Sequence, residues 1–179
     1  MNSDIKTILL TREQLAKRVK ELAQKISEDY RNKDCVLVSV LKGSFIFYAD
    51  LVREIDFHTT INFLRVSSYG SGATSSAKIT FKYPLDSKVE GKHVLVIEDI
   101  IDSGNTYVFL KKYFKDQGAL SVSMCALLDK PERREVDISA EYVGFEIPNE
   151  FVVGYGLDYD EKYRNLPYIG VLKPEIYKK

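Results

Sequence analysis

The sequence has little cysteine and no excess of either charge. Its 179 residues include two cysteines, Cys35 and Cys125, both inside apolar runs, which favours buried thiols in a reducing compartment over a disulfide. No CxxC pair and no Cys/His cluster has the spacing of zinc ligands. The 26 basic residues balance the 26 acidic ones, so the chain has no overall field with which to bind nucleic acid or an anionic membrane. An anionic substrate would have to be held by a local site.

Targeting and membrane-spanning segments are also lacking. The N-terminal stretch has neither the basic start nor the long apolar run of a signal peptide. The apolar run from Cys35 to Leu41 ends at Lys42, well short of the roughly 18 apolar residues that a membrane helix needs. We therefore expect a cytoplasmic protein without a membrane partner.

What is present predicts one folded domain. With 45% apolar and 29% charged residues, the chain can bury a core, and its length suits a single domain over residues 1–179. Strands alternate with helices, which predicts an α/β fold with a central, mostly parallel sheet flanked by helices. The predicted helices span Thr11–Tyr30, Phe45–Ile55 and Thr106–Gln117, and the predicted strands span Cys35–Val40, Thr60–Val66, His93–Ile97 and Ser121–Leu128.

Local signals mark the ends of these helices. Thr11 followed by Gln14 is typical of a capping box, and Ser44 is a candidate cap for the second helix. Gly118 is expected to end the third helix, because glycine adopts the left-handed conformation that closes many helices.

Two regions depart from the alternation of strands and helices. Small and polar residues dominate from Ser67 to about Ala77, which predicts a long mobile loop of the kind that forms lids. Beyond Lys130, short strands around Tyr142–Phe145 and Phe151–Tyr155 have no helix between them. We expect these strands to form a small hood on the main sheet, with the core over about residues 11–130 and the hood over about 131–179 together with the N-terminal residues.

The most informative segment follows the strand at His93–Ile97. Glu98 and Asp99 come first, then Asp102, and Ser103–Thr106 opens a helix. Ligands of open α/β sheets bind beyond the carboxyl ends of the strands, and a glycine-bearing turn into a helix offers backbone N–H groups to a phosphate. Carboxylates so close to a phosphate suggest that they hold sugar hydroxyls or Mg²⁺ instead. The pattern indicates a site for a sugar phosphate that carries a second phosphate group.

Simpler interpretations of this segment exist. Asp or Ser before a helix is commonly only an N-cap, and an acidic strand end also occurs at the Mg²⁺ site of NTPases. The sequence has no GxxxxGK[ST] run and no GxGxxG run after a strand. Their absence disfavours an NTPase and a dinucleotide-binding protein.

A family resemblance begins at the same segment. The stretch Glu98-Asp99-Ile100-Ile101-Asp102-Ser103-Gly104-Asn105-Thr106 resembles the phosphoribosyl pyrophosphate signature of type I phosphoribosyltransferases, and more narrowly of the hypoxanthine-guanine phosphoribosyltransferases. Leu41–Ser44 resembles the pyrophosphate loop of that family, whose Leu41–Lys42 peptide is often cis. Ser67–Gly70 opens the region of the family's catalytic loop, and Phe151–Tyr159 resembles its base-binding cap. The likeness runs in order from roughly Cys35 to Leu172 and implies the type I phosphoribosyltransferase fold.

The resemblance also implies a Mg²⁺-dependent reaction of purine salvage. Hypoxanthine or guanine would attack the anomeric carbon of phosphoribosyl pyrophosphate through N9, and pyrophosphate would leave as IMP or GMP forms. The donor's 5′-phosphate would be bound by Ser103, Gly104, Asn105 and Thr106. Its ribose hydroxyls would be held by Glu98 and Asp99, directly or through Mg²⁺, and Asp158 would ligate a second Mg²⁺. Pyrophosphate would be bound by Lys42, Gly43 and Arg164.

The purine and the lid complete the implied site. Asp102 would act at the purine N7 as general base or acid. Lys130 would donate to O6, which requires a 6-oxopurine. The ring would stack on Phe151 opposite Ile100, with edge contacts from the backbone around Val152 and Asp158, and Ser68 and Tyr69 would close the lid.

Other functions stay open at this point. Some proteins with this signature are regulators that sense phosphoribosyl pyrophosphate or nucleotides and bind RNA or DNA, which requires a basic face. Lys111-Lys112-Lys115 and Arg133-Arg134 are local basic clusters, but solvated surface is the simpler interpretation of both. A transferase for adenine or a pyrimidine is a third alternative, which Lys130 disfavours. Hypoxanthine, guanine and xanthine differ only at C2 and are not ranked, and the resemblance implies a homodimer or homotetramer.

Overall fold

The computed structural model describes residues 1–69, 78–83, 85 and 87–178. In chain order the elements are β1 (Ile5–Leu10), α1 (Arg12–Tyr30), β2 (Cys35–Val40), α2 (Phe45–Glu54), β3 (Thr60–Tyr69), β4 (Lys78–Tyr83), β5 (His93–Ile101), α3 (Asn105–Asp116), β6 (Ser121–Asp129), β7 (Tyr142–Glu146), β8 (Val152–Val153), β9 (Ile169–Leu172) and α4 (Pro174–Tyr177). Six strands form the main sheet in the order β4-β3-β2-β5-β6-β7. All its neighbouring pairs are parallel except β3 with β4, which is antiparallel. The predicted α/β architecture is therefore confirmed.

Helices cover both faces of this sheet. α1 and α2 pack on one face and α3 on the other. Side chains of β2 alternate between the two layers, Leu37 toward α1 and α2, Val36 and Val38 toward α3. Because both faces are covered, every residue of β2 is buried, which explains its uninterrupted apolar sequence. Both cysteines are free and buried, as expected.

The helix ends follow local sequence signals in two of three cases. Thr11 and Gln14 form the predicted capping box of α1. α3 ends at Asp116 and is closed by Gly118, whose φ is +84°, with Gly118 N–H donating to the Lys115 carbonyl and Ala119 N–H to the Phe114 carbonyl. Ser44 precedes α2 but does not cap it through its side chain. Its hydroxyl is buried and donates to the Val40 carbonyl instead, 2.6 Å away.

The hood is a second, three-stranded antiparallel sheet in the order β1-β9-β8. It joins residues from near both ends of the chain, as expected. The strand at Tyr142–Phe145 was expected in this hood, and that expectation is wrong. β7 pairs in parallel with β6, Cys125 opposite Tyr142, and so extends the main sheet.

The strands beside the site are longer than the sequence pattern predicts. β5 was expected to end at Ile97, but its pairing with β6 continues to Ile101 opposite Asp129. Backbone pairing does not require apolar side chains, so the acidic residues lie within the strand. β3 likewise continues past Val66 to Tyr69 and pairs with β4, where a loop was expected from Ser67. Residues 70–77, which make up most of that predicted loop, lie outside the described residues. Within the described chain, no helix combines the length and apolarity needed to cross a membrane.

Candidate active site

Two adjacent carboxylates mark the carboxyl end of β5. Glu98 lies opposite Ala126 of β6, and its Oε2 is buried without a hydrogen-bond partner among the described residues. Burial raises the pKa of Glu98 well above its usual range, and the charge of Asp99 adds to that shift. Burial also raises the pKa of Asp99 to about 6, although backbone N–H donors and the nearby Arg164 oppose the shift. Both acids therefore lie in a position that favours a bound cation.

The donor set at this position fits Mg²⁺. Glu98 and Asp99 offer only oxygen ligands, which Mg²⁺ prefers, and the buried Oε2 of Glu98 is free to take one. Within the described ranges, no three His, Cys, Asp or Glu side chains are grouped closely enough to hold a metal by themselves. Mg²⁺ often binds through one or two carboxylates plus water and substrate oxygens, so this arrangement suits a metal that arrives with a polyphosphate.

The raised pKa of Asp99 predicts how the stability of the metal-free protein changes with pH. Because the folded state raises the pKa of Asp99 to about 6, ionising this group destabilises the fold progressively from about pH 4 to about pH 6 and fully above that. Asp99→Asn should therefore stabilise the protein at pH 7.5 by on the order of 1–2 kcal/mol, and by less at pH 4.5. Urea denaturation in EDTA at both pH values measures this. The exposed Asp116→Asn serves as control, and a less stable Asp99→Asn protein at pH 7.5 would contradict the prediction.

The turn between β5 and α3 presents backbone N–H groups at the start of a helix. Gly104 has a φ of +88°, and a Cβ there would lie 2.9 Å from side-chain carbons of Val136 and Ile138, so only glycine fits. Gly104 offers α3 no side-chain cap, so the N–H groups of the first turn, apart from that of Asn105, which donates to Ser103 Oγ, have no partner within the helix. A cavity of about 80 Å³ adjoins this turn, and Glu98, Asp102, Ser103 and Thr106 contribute to its lining.

Asp102 is held by two arginines that the sequence interpretation assigned to solvated surface. Arg133 Nε donates to Asp102 Oδ1 at 3.1 Å, and Arg134 Nη1 donates to the Asp102 carbonyl at 2.9 Å. Arg134 also forms a largely buried ion pair with Asp129. The interpretation as plain surface is therefore wrong for Arg134, which ties the Asp102 turn to the end of β6, whereas the Arg133 side chain is 53% exposed.

Gly43, in the loop after β2, lies directly against the Asp99 carboxylate. The Leu41–Lys42 peptide is cis, as the resemblance implies. A Cβ on Gly43 would lie 1.7 Å from Asp99 Oδ2, and a Cβ on Gly156 would lie 2.0 Å from the Gly43 carbonyl oxygen. The backbone at Gly43 is thus packed between Asp99 of β5 and the turn after β8, with no room for a side chain at position 43.

Arg164 lies at the centre of an ionic cluster on the other side of Gly43. Its guanidinium donates to the Gly156 carbonyl at 2.7 Å and pairs with Asp158 Oδ1 at 2.8 Å. Its Nε is buried without a partner in the described part of the chain. Lys42 reaches the same cluster through Glu161, 2.9 Å away.

The hood supplies a polar and an aromatic surface. Lys130 Nζ donates to the Glu150 carbonyl at 2.7 Å, and burial lowers its pKa, although the charge of Asp102 opposes this. The Phe151 ring stacks on Tyr177 at 4.7 Å between centroids and meets the edge of Tyr159 at 5.7 Å, yet it is still 37% exposed.

Comparison with known proteins identifies the family. A family model described as the phosphoribosyl transferase domain matches residues 7–160. The chain belongs to the phosphoribosyltransferase family. It is 51% identical over 179 residues to a hypoxanthine-guanine phosphoribosyltransferase of Streptococcus thermophilus, covering 100% of this chain and 99% of that one.

Solved structures of the family share this fold. A hypoxanthine phosphoribosyltransferase from Staphylococcus aureus superimposes with a TM-score of 0.96 at 47% identity, covering 100% of this chain and 97% of the other. A hypoxanthine-guanine phosphoribosyltransferase from Bacillus anthracis, solved with a HEPES molecule in the active site, gives 0.90 at 50% identity, with coverage of 94% and 99%. The fold and family expected from the resemblance are confirmed.

Many of the positions that match the family's motifs fall into two groups, and the members of each group lie close to one another. Gly43, Asp99, Asp158 and Arg164 form one group, through the close packing of Gly43 on Asp99 and the Arg164–Asp158 ion pair. Asp102, Ser103 and the start of α3 form the other. Asn105 donates to Glu135 at 2.7 Å, and Ser103 Oγ accepts from Asn105 N–H at 3.3 Å. A larger cavity of about 460 Å³ lies between α1, α2 and the hood, and its lining includes none of the expected site residues.

Sequence reasoning assigned no role to three residues that contact the site. Arg133, Arg134 and Glu161 each bond to a residue carried over from the family. Only their spacing after Lys130 and Asp158 could have drawn attention to them. Ser68 and Tyr69 lie on β3 by backbone pairing with Ile79 and Lys78, and their side chains lie outside the described residues.

Proposed function

We propose that this chain is a hypoxanthine-guanine phosphoribosyltransferase of purine salvage. The observation that carries the proposal is the pair of partly buried acids Glu98 and Asp99 near the end of β5, with Glu98 Oε2 enclosed, followed by the glycine turn into α3. Backbone N–H groups at the helix start suit the phosphate at one end of the donor. The adjacent acids suit the ribose hydroxyls and a metal bound to the pyrophosphate at the other end. The relatives' names support the same reaction.

The donor would span the two contact groups. Ser103, Gly104, Asn105 and Thr106 would bind the 5′-phosphate, because backbone N–H groups at a helix start attract an anion. Glu98 and Asp99 would hold the ribose hydroxyls. Lys42, Gly43 and Arg164 would bind the pyrophosphate group.

A metal would act beside the leaving group. We propose that Glu98 and Asp99 hold one Mg²⁺ and that Asp158 ligates a second, and that these ions when bound supply positive charge next to the departing pyrophosphate. The unpartnered Glu98 Oε2 supports this role. Lys42 and Arg164 would add further positive charge to the same oxygens.

The purine would enter between the hood and β5. Lys130 would donate to O6 of the base, the contact that selects a 6-oxopurine. The exposed part of the Phe151 ring offers a stacking surface, with Ile100 opposite and with backbone of Val152 and Asp158 at the base edge. As N9 bonds to the anomeric carbon, the carbon–oxygen bond to pyrophosphate breaks, and Asp102 would hold or move the proton at N7.

Water must be kept away from this reaction. The anomeric carbon gains oxocarbenium character as the pyrophosphate leaves, and bulk water would capture it. Ser68 and Tyr69 would close over the site as part of a lid. We further propose that residues 1–179 form one domain and that the protein acts in the cytoplasm as a homodimer or homotetramer.

The rival function is a regulator that binds nucleic acid. Most of the basic side chains that such a regulator would use lie near acids, since Lys112 pairs with Asp116 at 2.7 Å and Arg133 and Arg134 pair with Asp102 and Asp129. Lys111 lies 3.9 Å from Glu141. These acids offset much of the positive charge of the two clusters, which supports the transferase.

Turnover decides between these functions. We expect protein supplied with Mg²⁺, phosphoribosyl pyrophosphate and hypoxanthine to give IMP and pyrophosphate, separated by anion-exchange chromatography. Measuring kcat/KM for hypoxanthine, guanine, xanthine and adenine ranks the bases, and adenine should be the poorest because it cannot accept from Lys130 at position 6. No turnover with any 6-oxopurine would refute the proposal. Salt-dependent RNA binding without turnover would favour the regulator.

A further inference from the structure

A single carboxylate oxygen bridges the two cations expected to bind pyrophosphate. Glu161 Oε2 lies 2.9 Å from Lys42 Nζ and 3.3 Å from Arg164 Nη2. Lys42 and Glu161 are 119 positions apart in the chain, so this bridge joins the loop after β2 to the hood. A carboxylate placed between two cations has the charge and position of a phosphate oxygen.

The backbone aims this side chain at the cations. Glu161 has a φ of +60°, in the left-handed region that non-glycine residues rarely adopt. Its N–H donates to Asp158 Oδ2 at 2.9 Å, which fixes the turn. The preceding residue, Asp160, has a similar φ of +53°, yet its carboxylate pairs with Lys162 at 3.1 Å. Two neighbouring acids in one turn thus have different partners, and only Glu161 reaches Lys42 and Arg164.

An incoming anion would have to displace one of the groups that already bind Arg164. Arg164 Nη1 donates to the Gly156 carbonyl, and Nη2 is shared between Asp158 and Glu161. Glu161 is 61% exposed, so it can swing into solvent without disrupting packing. Asp158 is more enclosed, at 30% exposed. Of the two carboxylates on Arg164, Glu161 is therefore the one that can leave.

We propose that Glu161 acts as an internal anion that occupies the pyrophosphate subsite of the free protein and is displaced by pyrophosphate or by the diphosphate of the donor. This inference rests on the proposed function, because it takes Lys42 and Arg164 as pyrophosphate ligands. Its consequence is competition, since each ligand must first release the Glu161 contacts. The same carboxylate re-forms its pairs as pyrophosphate departs, which favours product release.

Glu161→Gln tests this competition directly. It keeps the size of the side chain and removes the charge, and exposed ion pairs are individually weak, so inorganic pyrophosphate should bind about 3- to 10-fold more tightly. The probe is isothermal titration of the full chain with pyrophosphate in Mg²⁺ at low ionic strength. Asp160→Asn is the matched control, because it removes one negative charge from the same turn without touching Lys42 or Arg164. It should change the dissociation constant by less than about 2-fold.

The other outcomes overturn the inference. Equal tightening in both variants would indicate a general field effect, and an unchanged constant in Glu161→Gln would mean that the carboxylate does not compete. Weaker binding would assign Glu161 to positioning the cations instead. Hypoxanthine turnover is measured on the same preparations. Turnover by the wild type with any of these results contradicts the inference alone, whereas absent turnover contradicts the proposed function.

Discussion

Replacing Asp102 by Asn should slow the chemical step by about 10²–10⁴-fold, the usual range for loss of a general acid or base. Asn keeps the shape of the side chain and can still interact with Arg133 Nε, which donates to Asp102 Oδ1 at 3.1 Å. It cannot hold or move the proton at the purine N7. Because Asp102 is 48% exposed, the fold should be unaffected.

Single-turnover kinetics with hypoxanthine separate this effect from product release. Asp116→Asn, the same change on an exposed residue near the end of α3, is the control and should retain full activity. A rate for Asp102→Asn within a few-fold of wild type would remove Asp102 from the reaction. Loss of binding with an unchanged chemical step would assign it to holding the base alone.

Adding one methyl group at Gly43 should lower kcat/KM at least about 10²-fold. The Cβ of Gly43→Ala would lie 1.7 Å from Asp99 Oδ2, so either the loop or the carboxylate must move by an ångström or more. Displacements of that size cost about 10²-fold where reacting groups must be aligned. Both the pyrophosphate loop and the proposed metal ligand would be misplaced together.

Gly91→Ala provides a control that separates loss of the site from loss of the fold. Gly91 has a φ of +72°, and a Cβ there would have nothing within 4 Å, so alanine at this position should cost about 1 kcal/mol of stability and leave kcat/KM unchanged. Denaturation curves and kcat/KM are measured for both variants. Near-normal activity in Gly43→Ala would show that Asp99 can shift without consequence.

The sequence predicts the core of this fold because its signals are local. The capping box at Thr11 and the buried run of β2 each depend on a few neighbouring residues, and both are confirmed. The placement of β7 could not be predicted, because a short edge strand gains its place from pairing with β6 rather than from its own pattern. The same reason explains why the sequence pattern predicts β3 and β5 to be shorter than they are. Their ends include acidic and small residues that have no strand pattern, but backbone hydrogen bonds to the neighbouring strands keep them extended.

The residues of the candidate site also divide into those that the sequence indicates and those that only the structure reveals. Glycine positions and the acids near the end of β5 were evident because their spacing has a direct chemical meaning. Arg134 and Glu161 were not, because their partners lie on other elements and come within bonding distance only in the folded chain. Contacts of this kind depend on tertiary structure, and a single sequence carries no record of them.

The pairing of β1 with β9 and of β9 with β8 has a consequence for biosynthesis. During translation, β2, β5, β6 and the start of α3 leave the ribosome well before residues 169–172. The proposed phosphate turn can therefore take shape while the hood still lacks its central strand. A nascent chain stalled before β9 would carry the main sheet and the turn into α3 without a paired hood sheet.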